Sequence, residues 1–288
     1  MSARSPWLPR LVLAPGLLLS LLFIYGLIAW NGWLSVSASR LLPNYRFAGL
    51  ANYQALWESD RFHVALANLA LFGGAFIAGA MALGLLLAIL LDQKIRAEGA
   101  LRTVYLYPMA VSFIVTGTAW KWMLDPGLGL EHLVRQWGFD TFTFDWLVDP
   151  DKAIWCVAIA GIWQSAGFVM ALFLAGLRGI DDAIIRAAQV DGASLPRIYW
   201  RIVVPSLRPV FFSTLMVVSH LAIKSFDLVM ALTAGGPGYA TDLPATFMYA
   251  TAFTRGQIGL GAASATVMLA TVTAIVVPYL YSELRTRR

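Results

Sequence analysis

Six long apolar runs separated by short polar segments set the pattern of this 288-residue chain. They cover Leu11 to Trp30, Val64 to Leu91, Val104 to Leu124, Ala153 to Leu177, Pro209 to Thr233 and Ile258 to Tyr281. A helix of about 20 residues crosses the hydrocarbon core of a bilayer, and each run is that long. Lipid offers no partner for stray backbone groups, so such runs are predicted to be helical. The expected fold class is therefore all-α, an integral membrane chain with six transmembrane helices in a single domain over residues 1–288. Frequent glycine and alanine in the runs suits close helix packing in lipid. The first run is longer than the roughly 7–15 residues of a signal-peptide core. It is read as an uncleaved span, although Val36 to Ala38 resembles a cleavage site.

The polar segments orient the runs. Lys and Arg concentrate in the short loops on the cytoplasmic side of a membrane. With the N-terminus inside, the inner segments hold Arg4 and Arg10, then Lys94, Arg96 and Arg102, then Arg178, Arg186, Arg197, Arg201 and Arg208, then Arg285, Arg287 and Arg288. The outer segments hold Arg40, Arg46, Arg61, Arg135, Lys152 and Arg255, while Lys121 and Lys224 fall within runs. The bias predicts that both termini are cytoplasmic. Residues 178–208, between the fourth and fifth runs, then form the longest inner loop.

Three connecting segments have their own pattern. "FAGLANYQALW", from Phe47 to Trp57, is amphipathic and predicts a short helix on the membrane surface or against a partner. "DPGLGLEHLVRQWG", from Asp125 to Gly138, predicts a turn and then a short helix. In the inner loop, Asp181 is a candidate N-cap for a helix over Asp182 to Val190. Asp191-Gly192 then allows a sharp turn. Ser194 caps a second helix, which Pro205 and Pro209 end or kink before the fifth run. This pair of helices would present the small residues Ala187 and Ala188 outward. Docking of another protein and contact with lipid headgroups both fit such a surface.

Composition agrees with a bilayer protein. Charged residues make up 13% and mean hydropathy is +0.70, against about 25% charged in a soluble domain. The net charge of +5 is spread over loops rather than gathered in a patch, so no nucleic-acid partner is expected. The single Cys156 excludes a disulfide framework and a cysteine metal site. Its plain reading is a small packing residue. His63, His132 and His220 are scattered, with no metal or nucleophile motif, which argues against a membrane enzyme. No Walker motif is present, so the chain itself does not hydrolyse ATP.

Ionisable residues inside a span are costly and usually face a cavity or a partner. In the fifth run His220, Lys224 and Asp227 are spaced i, i+4 and i+7, which places them on one face of a continuous helix, with Ser213 a heptad earlier. Two readings stay open. One is an ion pair between Lys224 and Asp227 within helix packing. The other is a polar stripe along a solute path, with the Phe226 ring beside it. Trp163, Gln164 and Ser165 in the fourth run are a second candidate set.

The inner loop resembles a known family. Ala187 and Ala188, Gly192 four residues on, the "DGAS" of Asp191 to Ser194, and Ile202-Val203-Val204-Pro205 in register are similar to the cytoplasmic motif of sugar-permease subunits of ATP-binding-cassette importers. Phe47 to Trp57, "YPMAVSFIVTGTAWKWMLDPGLG" and "SFDLVMALTAGGPGYATDLPATFMYATAF" extend the resemblance over most of the chain, closest in look to permeases for glucose, mannose or glucosides. The resemblance implies that residues 178–208 are a coupling helix docked on an ATPase through Arg186, Ala187, Ala188, Asp191, Gly192, Ala193, Ile202 and Pro205. It departs from the motif at Arg186, where the family carries Glu. It further implies a second homologous permease, two ATPase subunits that bind ATP and Mg, a periplasmic or extracellular sugar-binding protein, and a bacterial inner membrane. The glycine-rich stretch Thr233 to Asp242 would belong to the face that meets the binding protein. A polyol or peptide permease is the nearest rival. An ion-coupled secondary carrier is a further one, although it needs no docking loop and would show more intramembrane carboxylates.

Overall fold

Apolar runs become helices, and two of the six break in the middle. The computed structural model describes residues 7–42, 44–93 and 95–286. Arg4, Lys94, Arg287 and Arg288, which enter the charge asymmetry, lie outside them. In chain order the helices are α1 (Leu8–Ser20), α2 (Gly26–Ser35), α3 (Ala51–Trp57), α4 (Asp60–Leu91), α5 (Glu98–Ala110), α6 (Phe113–Met123), α7 (Leu130–Gln136) and α8 (Ala153–Leu177). There follow α9 (Asp182–Val190), α10 (Leu195–Ile198), α11 (Val204–Ser206), α12 (Arg208–Ile223), α13 (Asp227–Leu232), α14 (Pro244–Tyr249) and α15 (Ile258–Thr286). Short π-helical turns join α1 to α2, α10 to α11, and α14 to the loop before α15. The pairing of Ser37 with Phe47 is the one β-bridge among the described residues.

Four helical stretches are long and apolar enough to cross a bilayer: Arg10–Ser35, Asp60–Leu91, Ala153–Leu177 and Ile258–Tyr281. They match the first, second, fourth and sixth runs. The number rises to six if two bent pairs each count once.

The chain divides into two units. One comprises Met1–Asp60 with Phe247–Ala270. Here Asn31 donates to the Ala262 carbonyl and to Thr266 Oγ1. The Asn52 amide donates to the Ser35 and Ser37 carbonyls at 2.9 and 2.8 Å, which orients α3 against the end of α2. The helical stretch from Arg10 to Ser35 keeps its apolar side chains outward, as for Leu17, Leu22 and Phe23. The π turn at Leu21–Tyr25 buries none of its residues.

The other unit comprises Arg61–Thr246 with Thr271–Arg288. Its core is built around α8, which carries no ionisable residue except the buried Cys156. Phe72, Phe76, Met170, Phe173, Val218, Leu228 and Leu232 pack in the same cluster. Close approach depends on small residues. A Cβ on Gly167 of α8 would overlap the backbone carbonyl of Tyr105 on α5, and one on Gly117 of α6 would meet Ala231 and the Leu228 carbonyl on α13.

Two expectations are corrected here. Val104 to Leu124 is not one continuous helix. Its helix begins at Glu98, stops at Ala110, and turns through 97° into α6. Pro108 cannot donate to the Val104 carbonyl, Val111 is extended, and the Ser112 hydroxyl accepts from Val115 N–H to start a new helix. Pro209 to Thr233 is not continuous either. α12 ends at Ile223 and α13 restarts at Asp227. No glycine or proline lies between them, so local propensity is not the cause. Tertiary packing is: Leu228, Val229 and Leu232 are buried, and α13 lies against α6 at Gly117. Asp227 sits in the first turn of α13, where its charge suits the helix dipole.

Gly167→Ala is expected to destabilise the chain by about 1–3 kcal/mol, as overpacking does, because the neighbour that must yield is backbone. Gly74→Ala, which meets nothing within 4 Å, is the control. Melting temperatures of the two variants in detergent check this.

Candidate functional site

Residues 178–208 fold as the capping signals predict. The Asp181 carboxylate accepts from Ala183 N–H at 2.8 Å and starts α9. α9 ends in a Schellman motif: Gly192 N–H donates to the Gln189 carbonyl, and Ala193 N–H to the Ala188 carbonyl, each at 3.0 Å. The motif needs a left-handed residue, and Gly192 supplies it at φ +77°. Ser194 is the N-cap of α10 by position, though its side chain makes no capping bond. The second leg continues through a π turn at Tyr199–Val203. Pro205 lacks the N–H that the Arg201 carbonyl would accept, and the wider turn, with Val204 N–H bonded to the Tyr199 carbonyl, accommodates that loss. α12 then departs at 65°.

This hairpin of helices is anchored on one side and open on the other. Ile185, Ala188, Ala193, Ile198, Tyr199, Ile202 and Val203 pack on the core, so of the two alanines expected to face outward only Ala187 does. Arg186, Ala187, Asp191, Gly192 and Pro205 are exposed, as is Val190 at 88%. Arg186 lies 3.9 Å from Asp182, one turn earlier. Both side chains are exposed, so the pair holds little and leaves Arg186 available to another partner.

The anchor includes polar contacts that the sequence pattern did not reveal. Tyr199 donates its hydroxyl to Asp92 Oδ2 at 2.9 Å and accepts from Gln93 Nε2 at 2.7 Å. Burial, and then the Asp92 carboxylate beside it, push the Tyr199 hydroxyl above its ordinary range, so it stays protonated and donates. Arg178 pairs with Glu98 across the neck of the segment. "IYWRI" reads in the sequence as helix only; nothing in it points to residues a hundred positions earlier.

The second candidate region lies at the two helix breaks. A pocket of about 360 Å³ is lined by Met109 to Phe113, Gln164, Ser165, Phe168 and Leu221. Gln164, 2% exposed, donates from Nε2 to the Val111 carbonyl at 2.7 Å. That bond serves a carbonyl that the end of α5 releases in an apolar setting. The Gln164 Oε1 is buried and has no hydrogen-bond partner among the described residues. A smaller crevice of about 40 Å³ is lined by Phe72, Phe76, Phe113, Gly161, Leu221 and Lys224 to Leu228. Phe113 and Leu221 border both.

The break between α12 and α13 changes the expected polar stripe. His220, Lys224 and Asp227 do not share one face of a helix, because Lys224 lies past the last residue of α12 and Asp227 opens α13. Lys224, Phe226 and Asp227 do line the crevice together. His220 lines neither cavity. No Lys224–Asp227 ion pair forms among the described residues, so the pure packing reading loses its main contact. Trp163 also lies outside both cavities; it is half exposed and meets Trp120 edge to face at 6.0 Å. Phe113, Val111 and Ser112 are among the lining residues that sequence reasoning missed. The signal was present in Pro108 followed by Ser112, a proline and an N-cap inside one apolar run.

Gly192→Ala places a Cβ where nothing crowds it, so its cost is the left-handed backbone alone, about 1–2 kcal/mol. Amide hydrogen exchange over residues 188–194 is expected to speed up about tenfold, with the rest of the chain unchanged.

Comparisons with known proteins place these features in context. The family described as binding-protein-dependent transport system inner membrane component matches residues 80–287. A probable ABC transporter permease of Pyrococcus horikoshii is 41% identical over 282 residues, covering 96% of this chain and 97% of the relative. The xylose/arabinose import permease of Haloferax volcanii is 38% identical over 264 residues, with 90% and 83% covered. A bacterial alginate ABC transporter, also solved with its alginate-bound periplasmic protein, has a chain of the same fold, at TM-score 0.85 and 20% identity. That match covers 98% of this chain and 96% of the other.

Proposed function

The chain belongs to the family of inner membrane components of binding-protein-dependent transport systems, and on that premise we propose that it is a sugar-conducting permease subunit of an ATP-driven importer. The observation that carries this reading is the 178–208 segment. It is a helix–glycine–helix hairpin, fixed to the core on one side and open on the side that bears Arg186, Ala187, Asp191 and Gly192. An exposed, small-residue surface held rigidly from behind suits docking into a cleft on another protein. The partner is an ATPase subunit, and two of these bind ATP and Mg.

The rest of the reading follows from that surface. Six spans, counting each bent helix pair as one, leave both termini and residues 178–208 in the cytoplasm, as the basic residues require. A second, homologous permease completes the pathway, and a periplasmic or extracellular binding protein delivers the sugar. The pathway crosses the two helix breaks. There the buried Gln164 oxygen and the Lys224 and Asp227 charges meet hydroxyl groups, while Phe113 and Phe226 offer ring faces. Importers of pentoses and of alginate among the similar proteins support a carbohydrate. We assign glucose, mannose or a related glucoside from the stretch Ser225 to Phe253.

The test begins with the tagged chain purified from its own membranes. Recovery of an ATPase and a second permease is expected, with hydrolysis stimulated by binding protein plus glucose. A chain that purifies alone and transports without ATP overturns the reading. Asp227→Ala is expected to lower sugar uptake about tenfold or more while assembly stays intact; normal uptake rejects the pathway assignment. Arg186→Glu reverses the charge presented to the ATPase and is expected to weaken assembly with it. Unchanged assembly means that Arg186 faces no acidic partner there.

A further inference from the structure

α4 is gripped by polar contacts at both ends. It has 32 residues, about 48 Å at 1.5 Å per residue, well beyond the ~30 Å hydrocarbon core. At its start, Arg61 Nε binds Asp242 Oδ2 at 2.5 Å, and the guanidinium lies 4.4 Å over the Tyr239 ring. Asp242 is 1% exposed, and its other oxygen accepts from Thr246 Oγ1. Two turns on, Asn68 Nδ2 donates to the Tyr239 and Asp242 carbonyls, each at 3.0 Å. The glycine-rich loop before α14 is thus fastened to the first turns of α4. Just past its other end, Asp92 and Gln93 hold Tyr199 of the 178–208 hairpin.

Between the clasps α4 has no proline and seats Gly84 closely against Val169 of α8. Phe72 and Phe76, on the same helix, line the crevice that holds Lys224 and Asp227. One helix therefore touches the hairpin, the helix break and the loop at the far end.

We propose that α4 is a transmission strut, with Tyr199 and Asp242 as the positioning residues at its two ends. Movement of the docking hairpin passes through the Tyr199 hydroxyl to α4, and the position of α4 sets the loop between Thr233 and Asp242. The link runs both ways, because a coupling free energy is reciprocal. The assignment of sides rests on the function proposed above. The strut gives that function a physical route by which a binding protein outside is sensed by an ATPase inside.

The experiment uses the complete complex in liposomes. Tyr199→Phe removes one hydroxyl and is expected to leave assembly and basal hydrolysis unchanged. Stimulation by sugar-loaded binding protein, and sugar moved per ATP, are expected to fall about fivefold or more. Asp242→Asn gives a similar loss, and the double variant falls no further than the worse single one, because both act along one route. Should Tyr199→Phe fail to assemble, Asp92→Ala, which removes the acceptor of the Tyr199 hydroxyl, takes its place. The second readout is hydrogen exchange over residues 233–243, expected to respond to nucleotide in the wild type and not in Tyr199→Phe. Full stimulation in Tyr199→Phe, independent losses that multiply in the double variant, or a preserved exchange response overturns the strut. A wild-type complex without sugar stimulation overturns the functional reading instead, and the exchange response still decides the strut.

Discussion

A backbone carbonyl set free inside a membrane protein must find a donor, and much of this structure follows from that constraint. Pro108 and the extended Val111 end α5 in an apolar setting. The Val111 carbonyl is then served by Gln164 Nε2 from the neighbouring helix. That bond lets a 97° turn exist where a straight span was expected. The turn opens the pocket beside it and brings α6 against α13. α13 packs there only because Gly117 carries no side chain. A single amide therefore satisfies the break and leaves its own oxygen buried without a partner among the described residues.

The constraint divides the chain into rigid and irregular parts. α4 and α8 run unbroken, and their backbone groups are satisfied within each helix. The irregular backbone gathers at two breaks, between α5 and α6 and between α12 and α13, whose pockets share Phe113 and Leu221. Irregular backbone is tolerated at such depth where it is buried in protein or lines a cavity. Both breaks meet that condition. Polar chemistry in an otherwise apolar interior thus collects where the helices fail, rather than along a helix face.

How much of this could be read from the sequence depended on the range of the forces involved. The hairpin at 178–208 was legible almost residue by residue, because its signals are local: Asp181 caps, Gly192 turns left-handed, and Pro205 distorts what precedes it. The uninterrupted spans were equally plain. The first break was legible in principle, since Pro108 and Ser112 are a stop and a start four residues apart, but the length of the apolar run concealed it. The second was not legible. Lys224, Ser225 and Phe226 carry no breaking signal, and the helix ends there because α13 fits against α6. A spacing of i, i+4 and i+7 describes one face only while the helix continues, so the stripe of His220, Lys224 and Asp227 dissolved with it.

The contacts that pattern reading cannot find are the ones that connect distant parts. Arg61 with Asp242, Asn68 with the same loop, and Tyr199 with Asp92 join residues more than a hundred positions apart. They share a geometry: a polar group near an end of a spanning helix meets a connecting segment where the apolar environment gives way. Such a site costs little desolvation compared with the bilayer centre. It still shields the pair from full solvent competition, as the nearly complete burial of Asp242 shows. The ends of long helices are therefore where polar fastening is most effective. A helix fastened at both ends moves as one piece or not at all, so the same contacts that hold the fold also select α4 as the element able to carry a displacement across the membrane.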